Sequence, residues 1–377
     1  MAQLQYSPVS PLLQNPAILQ EVKDRCVEIP MQGNRFVIFS DLHMGNGGSR
    51  DDFRRNAEAV YDVLSRHYYR KDYHLILNGD IEELQKFQWE QIRDRWSGHY
   101  RLFDAFFEEG RLSKTLGNHD LILSESPGDY PYPVHESIHI HNDRGSVLVY
   151  HGHQFSSLIM RFQKLVHYTL KYLAYPLGIM NYSKSPTSRK KLKTETRAYE
   201  ASSSLGLISV IGHTHRPLFE SLSKSDSLKY RLDFLIRAYR QSSIHEQKNI
   251  EKEIKNLQKE LHLLVHTNDM QISELYSAEG LIPCLFNSGC TIGKRGFTAL
   301  ELDQDSISLV YWYDRSRSGQ YINYYGSDRM DLEGSNMAKV VLNTEKLSYI
   351  QDKVRFMAPR PSLSGKDTHV SFQLLPD

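Results

Sequence analysis

Short β-branched and aromatic runs alternate along the chain with longer polar stretches of helical period. Bounded by turn residues, these runs predict strands over 35–40, 73–77, 112–116, 146–150, 207–211, 282–286, 297–302 and 307–312. Between the first two, residues 51–70 carry Val60, Val63 and Leu64 at helical spacing and predict an amphipathic helix. Strands lie far apart early in the chain and close together late, an α/β pattern.

Two segments interrupt that pattern. In 156–200 the first half is rich in Leu, Ile, Phe and Tyr, with Leu158, Phe162, Leu165, Leu173 and Leu177 bordered by Arg161, Lys164 and Lys171. From 161 to 200 nine Lys/Arg face two Glu, a local charge of 9 − 2 = +7. This composition predicts a basic, amphipathic cap, with Arg161 and Lys164 as candidate substrate contacts and the segment as a peripheral membrane contact. In 222–277, Ile250, Ile254, Leu257, Leu261 and Leu264 follow at spacings of 4, 3, 4 and 3, a heptad seam. Leu228, Leu232, Ile236 and Tyr239 could face it, which predicts an antiparallel helical hairpin through which copies of the chain could pair. The expected organisation is an N-terminal extension over 1–34, one domain over 35–325 carrying both insertions, and a tail over 326–377 with no assigned role.

Composition narrows the function classes. With 40% hydrophobic and 24% charged residues in 377, the chain is neither wholly disordered nor mostly membrane-spanning. A net charge of +1 offers no global attraction for nucleic acid, and none is expected as a partner. Cys26, Cys284 and Cys290 are too few for a disulfide framework and too scattered for a cysteine-based zinc site. The first 20 residues lack a signal-peptide pattern, and no run of about 18 apolar residues occurs, so a cytoplasmic location is expected. The unusual count is histidine, at 17.

Six of those histidines fall in a few residues near predicted strand ends. In order the motifs are Asp41-Leu-His43, Gly79-Asp80, Gly117-Asn118-His119-Asp120, His151-Gly-His153 and Gly212-His213-Thr-His215. In open α/β sheets the ligand crevice lies beyond the carboxyl ends of the strands, where loops from several strands converge. Imidazole and carboxylate together suit divalent zinc, manganese, iron or nickel, whereas an all-oxygen site would suit magnesium or calcium. In an extended chain, Asp-x-His and His-x-His each present two side chains on one side. With Asp80, Asn118 and His151 the set is large enough for two metals sharing a carboxylate.

The ordered set resembles the calcineurin-like metallophosphoesterase superfamily, over about residues 35–315. The resemblance implies a four-layer α/β/β/α sandwich around two divalent ions, manganese first among the candidates. It implies Asp41, His43, Asp80 and His215 on one metal, and Asp80, Asn118, His151 and His213 on the other. His119 matches the histidine that contacts the phosphate or protonates the leaving oxygen. Glu83 stands where the family carries a second aspartate, and either it or Asp120 would orient His119. Leu84 follows where phosphoprotein phosphatases carry arginine. Ser40–Gly45 and the apolar, basic segment after His151 are similar to the UDP-2,3-diacylglucosamine pyrophosphatases, which usually have arginine in place of His119. The implied activity is hydrolysis of a phosphomonoester, phosphodiester or nucleotide-sugar pyrophosphate by a hydroxide attacking phosphorus in line. The implied partner is a small or lipid-linked phosphorylated substrate. His153 would be a substrate contact or a partner of the ligands. The alternatives are an inactive scaffold of the same fold, or a nuclease using the +7 segment as a basic groove.

Overall fold

The computed structural model describes residues 14–125, 130–142, 145–156, 189–221, 244–266, 282–294, 296–317 and 329–358, with scattered helical positions between 228 and 239. The strands in chain order are β1 (Cys26–Pro30), β2 (Arg35–Phe39), β3 (Tyr73–Asn78), β4 (Leu112–Thr115), β5 (Val134–His135), β6 (Ser137–Asn142) and β7 (Gly145–Tyr150). They continue as β8 (Ile208–Ile211), β9 (Leu285–Asn287), β10 (Gly296–Leu302), β11 (Ser306–Asp314), β12 (Arg329–Asp331) and β13 (Met337–Lys346). One sheet has the order β12-β13-β11-β10-β2-β3-β4-β5, and the other β1-β6-β7-β8-β9. Strands β2 to β5 run parallel, as do β7, β8 and β9. The helix Ala57–Val63 lies in the crossover from β2 to β3, and Trp89–Arg95 and Ser97–Glu108 lie between β3 and β4.

Both faces of the central strands are apolar, as parallel strands covered on two sides require. Val37, Phe39, Leu75 and Leu77 pack with Val60, Val63, Phe103 and Phe106 of the crossover helices. The alternate residues Phe36, Ile38 and Ile76 meet Ile138, Val147, Val149 and Val210 of the other sheet. On the far side of that second sheet, Leu148, Tyr150 and Ile211 pack with Leu19 and Val22 of the helix Gln14–Asp24 and Ala198 and Ala201 of the helix Arg189–Leu205.

The sheets extend past the expected domain limits at 35 and 325. Residues 26–30 form an edge strand paired with β6, and β13 pairs along the whole of β11 through a bulge at Leu309/Val310. The helix Leu347–Met357 sends Leu347, Ile350 and Val354 into the core between the sheets. The strand expected over 282–286 begins later, at Leu285, because Pro283 has no N–H for a ladder bond.

The expected cap divides. Residues 157–188, with Arg161 and Lys164, lie outside the described residues. From Thr194 onward the chain is a helix that buries Glu195, Ala198, Ala201 and Ser202 against the sheet, so this part is scaffold. In the hairpin insert, Ile250, Ile254 and Leu257 pack with Leu228, Leu232 and Leu235. Leu235 takes the inward place expected for Ile236, which is 51% exposed. Tyr239 instead donates to Glu251 at 2.7 Å. Among the described residues no helix is long and apolar enough to cross a membrane.

Candidate metal centre

The histidine and carboxylate motifs lie just beyond the carboxyl ends of β2, β3 and β4 in one sheet and β7 and β8 in the other. Extended backbone does not aim them. Asp41, His43, Asp80, His213 and His215 all have positive φ, from 50° to 62°, and are five of the eight non-glycine residues in that region among the described ones. The left-handed conformation costs a non-glycine residue about 1–3 kcal/mol and persists where its surroundings over-determine it, typically at functional sites. The chain thus turns each side chain inward by a local twist at the strand end, where the sequence pattern suggested simple strand alternation.

Glycines let the loops approach. A Cβ on Gly117 would lie 2.2 Å from both N and Oδ1 of Asp80. One on Gly212 would lie 2.7 Å from Oδ2 of Asp41. Backbone amides then fix the carboxylates: His213 N donates to Asp41 Oδ2 at 3.0 Å and His119 N donates to Asp80 Oδ1 at 2.8 Å. The other oxygen of each faces the histidines. Asp41 Oδ1 is 3.1 Å from His215 Nε2, 3.8 Å from His43 Nε2 and 4.0 Å from His151 Nε2. Asp80 Oδ2 is 3.2 Å from His151 Nε2 and 3.9 Å from both His43 Nε2 and His119 Nε2.

The ring orientations are set by their outer partners. His151 Nδ1 lies 2.8 Å from the carbonyl of Asn78, which can only accept, so Nδ1 carries a proton and Nε2 turns inward, where, against burial, Asp80 and Asp41 raise the ring to about 10. His43 Nδ1 donates to Glu83 Oε2 at 3.2 Å, which likewise turns Nε2 inward. Three groups of donor atoms converge within 4.8 Å: Asp41, His43 and His215; Asp80, His151 and His213; and His43, Asp80 and His119. Asp41 Oδ1, Asn118 Oδ1 and His151 Nε2 are buried without a hydrogen bond. Buried polar atoms left unpaired, with Asp41 Oδ1 and His151 Nε2 4.0 Å apart, suit a cation, and imidazole with carboxylate suits a divalent transition metal.

No family profile matches the chain, and no curated protein does. Among solved structures, it is similar to a conserved uncharacterized protein of Streptococcus pneumoniae described as a predicted phosphoesterase. The identity is 13%, the alignment covers 74% of this chain and 89% of that one, and the TM-score is 0.28. A superposition that loose carries no functional weight; the side-chain geometry of the centre does.

Charge at the centre is strongly perturbed. Burial would raise the Asp41 carboxyl, but His215 and His151 hold it well below the usual range. Burial likewise opposes ionisation of Asp80, which His151 and His119 nonetheless hold well below its ordinary value. Burial works against a proton on His119, yet Glu83 and Asp80 raise it to about 9. Desolvation and the neighbouring His151 lower His213 to about 3. His153, fully buried with its ring 5.6 Å from that of His151, is also held neutral, chiefly by burial.

Of the two carboxylates expected near His119, Glu83 makes the contact: its Oε1 accepts from His119 Nδ1 at 2.6 Å. Lys86 Nζ steadies Glu83 Oε2 at 3.1 Å. Asp120 makes no hydrogen bond to His119 and turns inward, accepting from Gly117 N at 2.5 Å, Ile81 N at 3.1 Å and Lys114 Nζ at 3.0 Å. Lys114 also pairs with Glu82, which accepts from Tyr100 at 3.1 Å and Tyr130 at 2.8 Å. This buried network ties the loop carrying Asp80 to the loop carrying Asn118. No motif marks Lys114 in the sequence; only the burial of its strand shows it as a partnered charge. Replacing it by Met leaves two buried carboxylates without their cation. Lys114→Met is expected to lower unfolding free energy by about 3–5 kcal/mol in a urea titration. A loss under about 1 kcal/mol would show that the network is not held by this charge.

A second support was likewise invisible in sequence. Glu195 accepts from Thr214 Oγ1 at 2.6 Å and pairs with Arg216, while Asn287 Nδ2 donates to Gly212 O and Thr214 Oγ1, both at 2.9 Å. These bonds hold the turn that presents His213 and His215.

Proposed function

We propose that the chain is a divalent-metal-dependent phosphoester hydrolase. The observation that carries this reading is the position of Asp80, whose Oδ2 lies within 4 Å of His43, His119 and His151. One carboxylate oxygen among donors from both sheets suits a bridge between two cations. Asp41, His43, Asp80 and His215 would hold one, and Asp80, Asn118, His151 and His213 the other. When bound, such ions neutralise phosphate oxygens and make water acidic enough to attack at neutral pH. The core order of helices, sheet, sheet and helices supports the four-layer sandwich.

The chain's own contribution to turnover centres on His119. Its side chain is 20% exposed, against 5% for His43 and 0% for His151, so it is more open to an incoming substrate than either. Glu83 holds a proton on Nδ1 and keeps the ring cationic, leaving Nε2–H to donate to a phosphoryl oxygen or to the leaving oxygen. His153 has no such exposure and serves as packing beside His151.

The substrate would meet the segment 157–188. The described chain on either side of it is linked: Arg197 donates to the carbonyl of Phe155 at 3.0 Å, and Glu195 joins the helix Arg189–Leu205 to Thr214 and Arg216. The segment's apolar and basic composition favours an amphipathic phosphorylated substrate over a soluble one. The test is a panel run with manganese: an aryl phosphate, a bis-aryl phosphate, nucleotide sugars with and without acyl chains, and single-stranded DNA. Hydrolysis of one of the first three classes is expected, with acylated forms turned over at lower KM. Activity confined to DNA would move the reading to a nuclease, and none at all would leave a scaffold.

A further inference from the structure

A second group of metal-binding side chains stands away from this centre, on the outer face of the five-stranded sheet at its β1 edge. The parallel register of β1 and β6 sets Cys26 opposite Ser137, Glu28 opposite His139 and Pro30 opposite His141. Strand period places Cys26, Glu28, His139 and His141 on one face. Val27 and Ile29 take the other face and pack toward the core between the sheets.

Donor atoms of Cys26, Glu28 and His139 all lie within 4.8 Å of one another. Glu28 reaches toward both rings, Oε1 at 3.5 Å from His139 Nδ1 and Oε2 at 3.8 Å from His141 Nε2. The two rings lie 5.7 Å apart between centroids. A tetrahedral zinc site, with bonds of about 2.3 Å to sulfur and 2.0–2.1 Å to nitrogen or oxygen, sets its donors about 3.3–3.6 Å apart. The donors of Cys26, Glu28 and His139 are therefore about an ångström from closure, which side-chain rotation at the sheet edge can supply. Cys26 is in no disulfide, and both ring nitrogens of His139 are buried without a hydrogen bond. Leaving such nitrogens unpaired is costly, and a cation would satisfy one of them. Burial and the Glu28 carboxylate keep the Cys26 thiol protonated, with Lys23 and Asp24 of the preceding helix acting in opposite senses. A bound cation reverses that balance and takes the thiolate as ligand.

We propose that Cys26, Glu28 and His139 form a separate transition-metal site of the zinc class, with His141 steadying Glu28, that fastens the N-terminal helix and β1 to β6. It owes nothing to the hydrolase reading, and its thiolate distinguishes it from the histidine and aspartate centre.

The probe is Co2+, titrated into the full chain after chelator treatment. Thiolate-to-cobalt charge transfer in the near ultraviolet is expected in the wild-type chain and in Cys290→Ser. It should vanish in Cys26→Ser. Glu28→Gln, at a position 65% exposed, should keep the fold and weaken the apparent affinity about tenfold or more. His139→Gln should do the same. Competing Zn2+ should abolish the band and protect Cys26 from thiol reagents. A wild-type chain without the band, or a Cys26→Ser chain that retains it, would overturn the proposal. An unchanged affinity in Glu28→Gln and His139→Gln together would do so as well.

Discussion

Asp80→Asn is expected to lose both its metals and its activity. The carboxylate is fully buried, and one of its oxygens approaches three imidazoles from three different loops. An amide is nearly the same size, so packing should survive. It carries no charge, however, and its NH2 end would point a donor at a cation or at a ring lone pair. Removing partners that merely orient a ligand costs about 10–100-fold in metal affinity, and losing a shared ligand should exceed that. Elemental analysis of the dialysed variant should find well under one metal per chain, against about two in wild type, with phosphoesterase turnover reduced in step. Full occupancy in the variant would remove Asp80 from the centre.

His119→Ala should separate binding from turnover. Its side chain is 20% exposed, against 5% for His43, whose Nε2 lies at the same 3.9 Å from Asp80, and its Nδ1 is engaged by Glu83. It is therefore placed to act on substrate more than to hold metal. The variant is expected to retain its metals and lose about 10²–10⁴-fold in kcat, the range for a positioned proton donor or oxyanion stabiliser. Glu83→Gln should give a smaller loss by the same route, because a neutral amide no longer holds the ring cationic. A substrate whose leaving group needs no proton should recover part of the rate in both. An Ala variant within a factor of about two of wild type would show that His119 is a bystander.

The strands that position the centre were legible because each is covered on both faces and reads as a short apolar run, as in Phe36–Phe39 and Leu75–Leu77. The pieces that were missed lack that mark. In β6 histidine alternates with isoleucine, so only one side of the strand looks buried. The long strand β13 passes from the apolar Val340–Leu342 into Asn343, Thr344, Glu345 and Lys346, and from Val341 onward its side chains are exposed or half-buried. Its pairing with β11, 23 residues or more away, supplies what its own composition does not. The heptad seam of the insert was plain in sequence, yet which partner residues face it depended on helix phase, and Leu235 took the place of Ile236.

The chemistry divides along the same line. Residue type and order alone determined that imidazole and carboxylate would gather at strand ends, because each motif is local and glycine beside it permits a tight approach. Whether Glu83 or Asp120 meets His119 could not be read locally. Both are near in sequence to other ligands, and the choice fell to Lys114, which draws Asp120 into the interior and leaves Glu83 to the histidines. The same reason hid the Cys26 group: its cysteine and its histidines are more than 100 residues apart, and only the parallel register of β1 and β6 makes them neighbours. Local conformation is written in neighbouring residues, whereas contacts between distant segments depend on the register and burial that the assembled sheets impose.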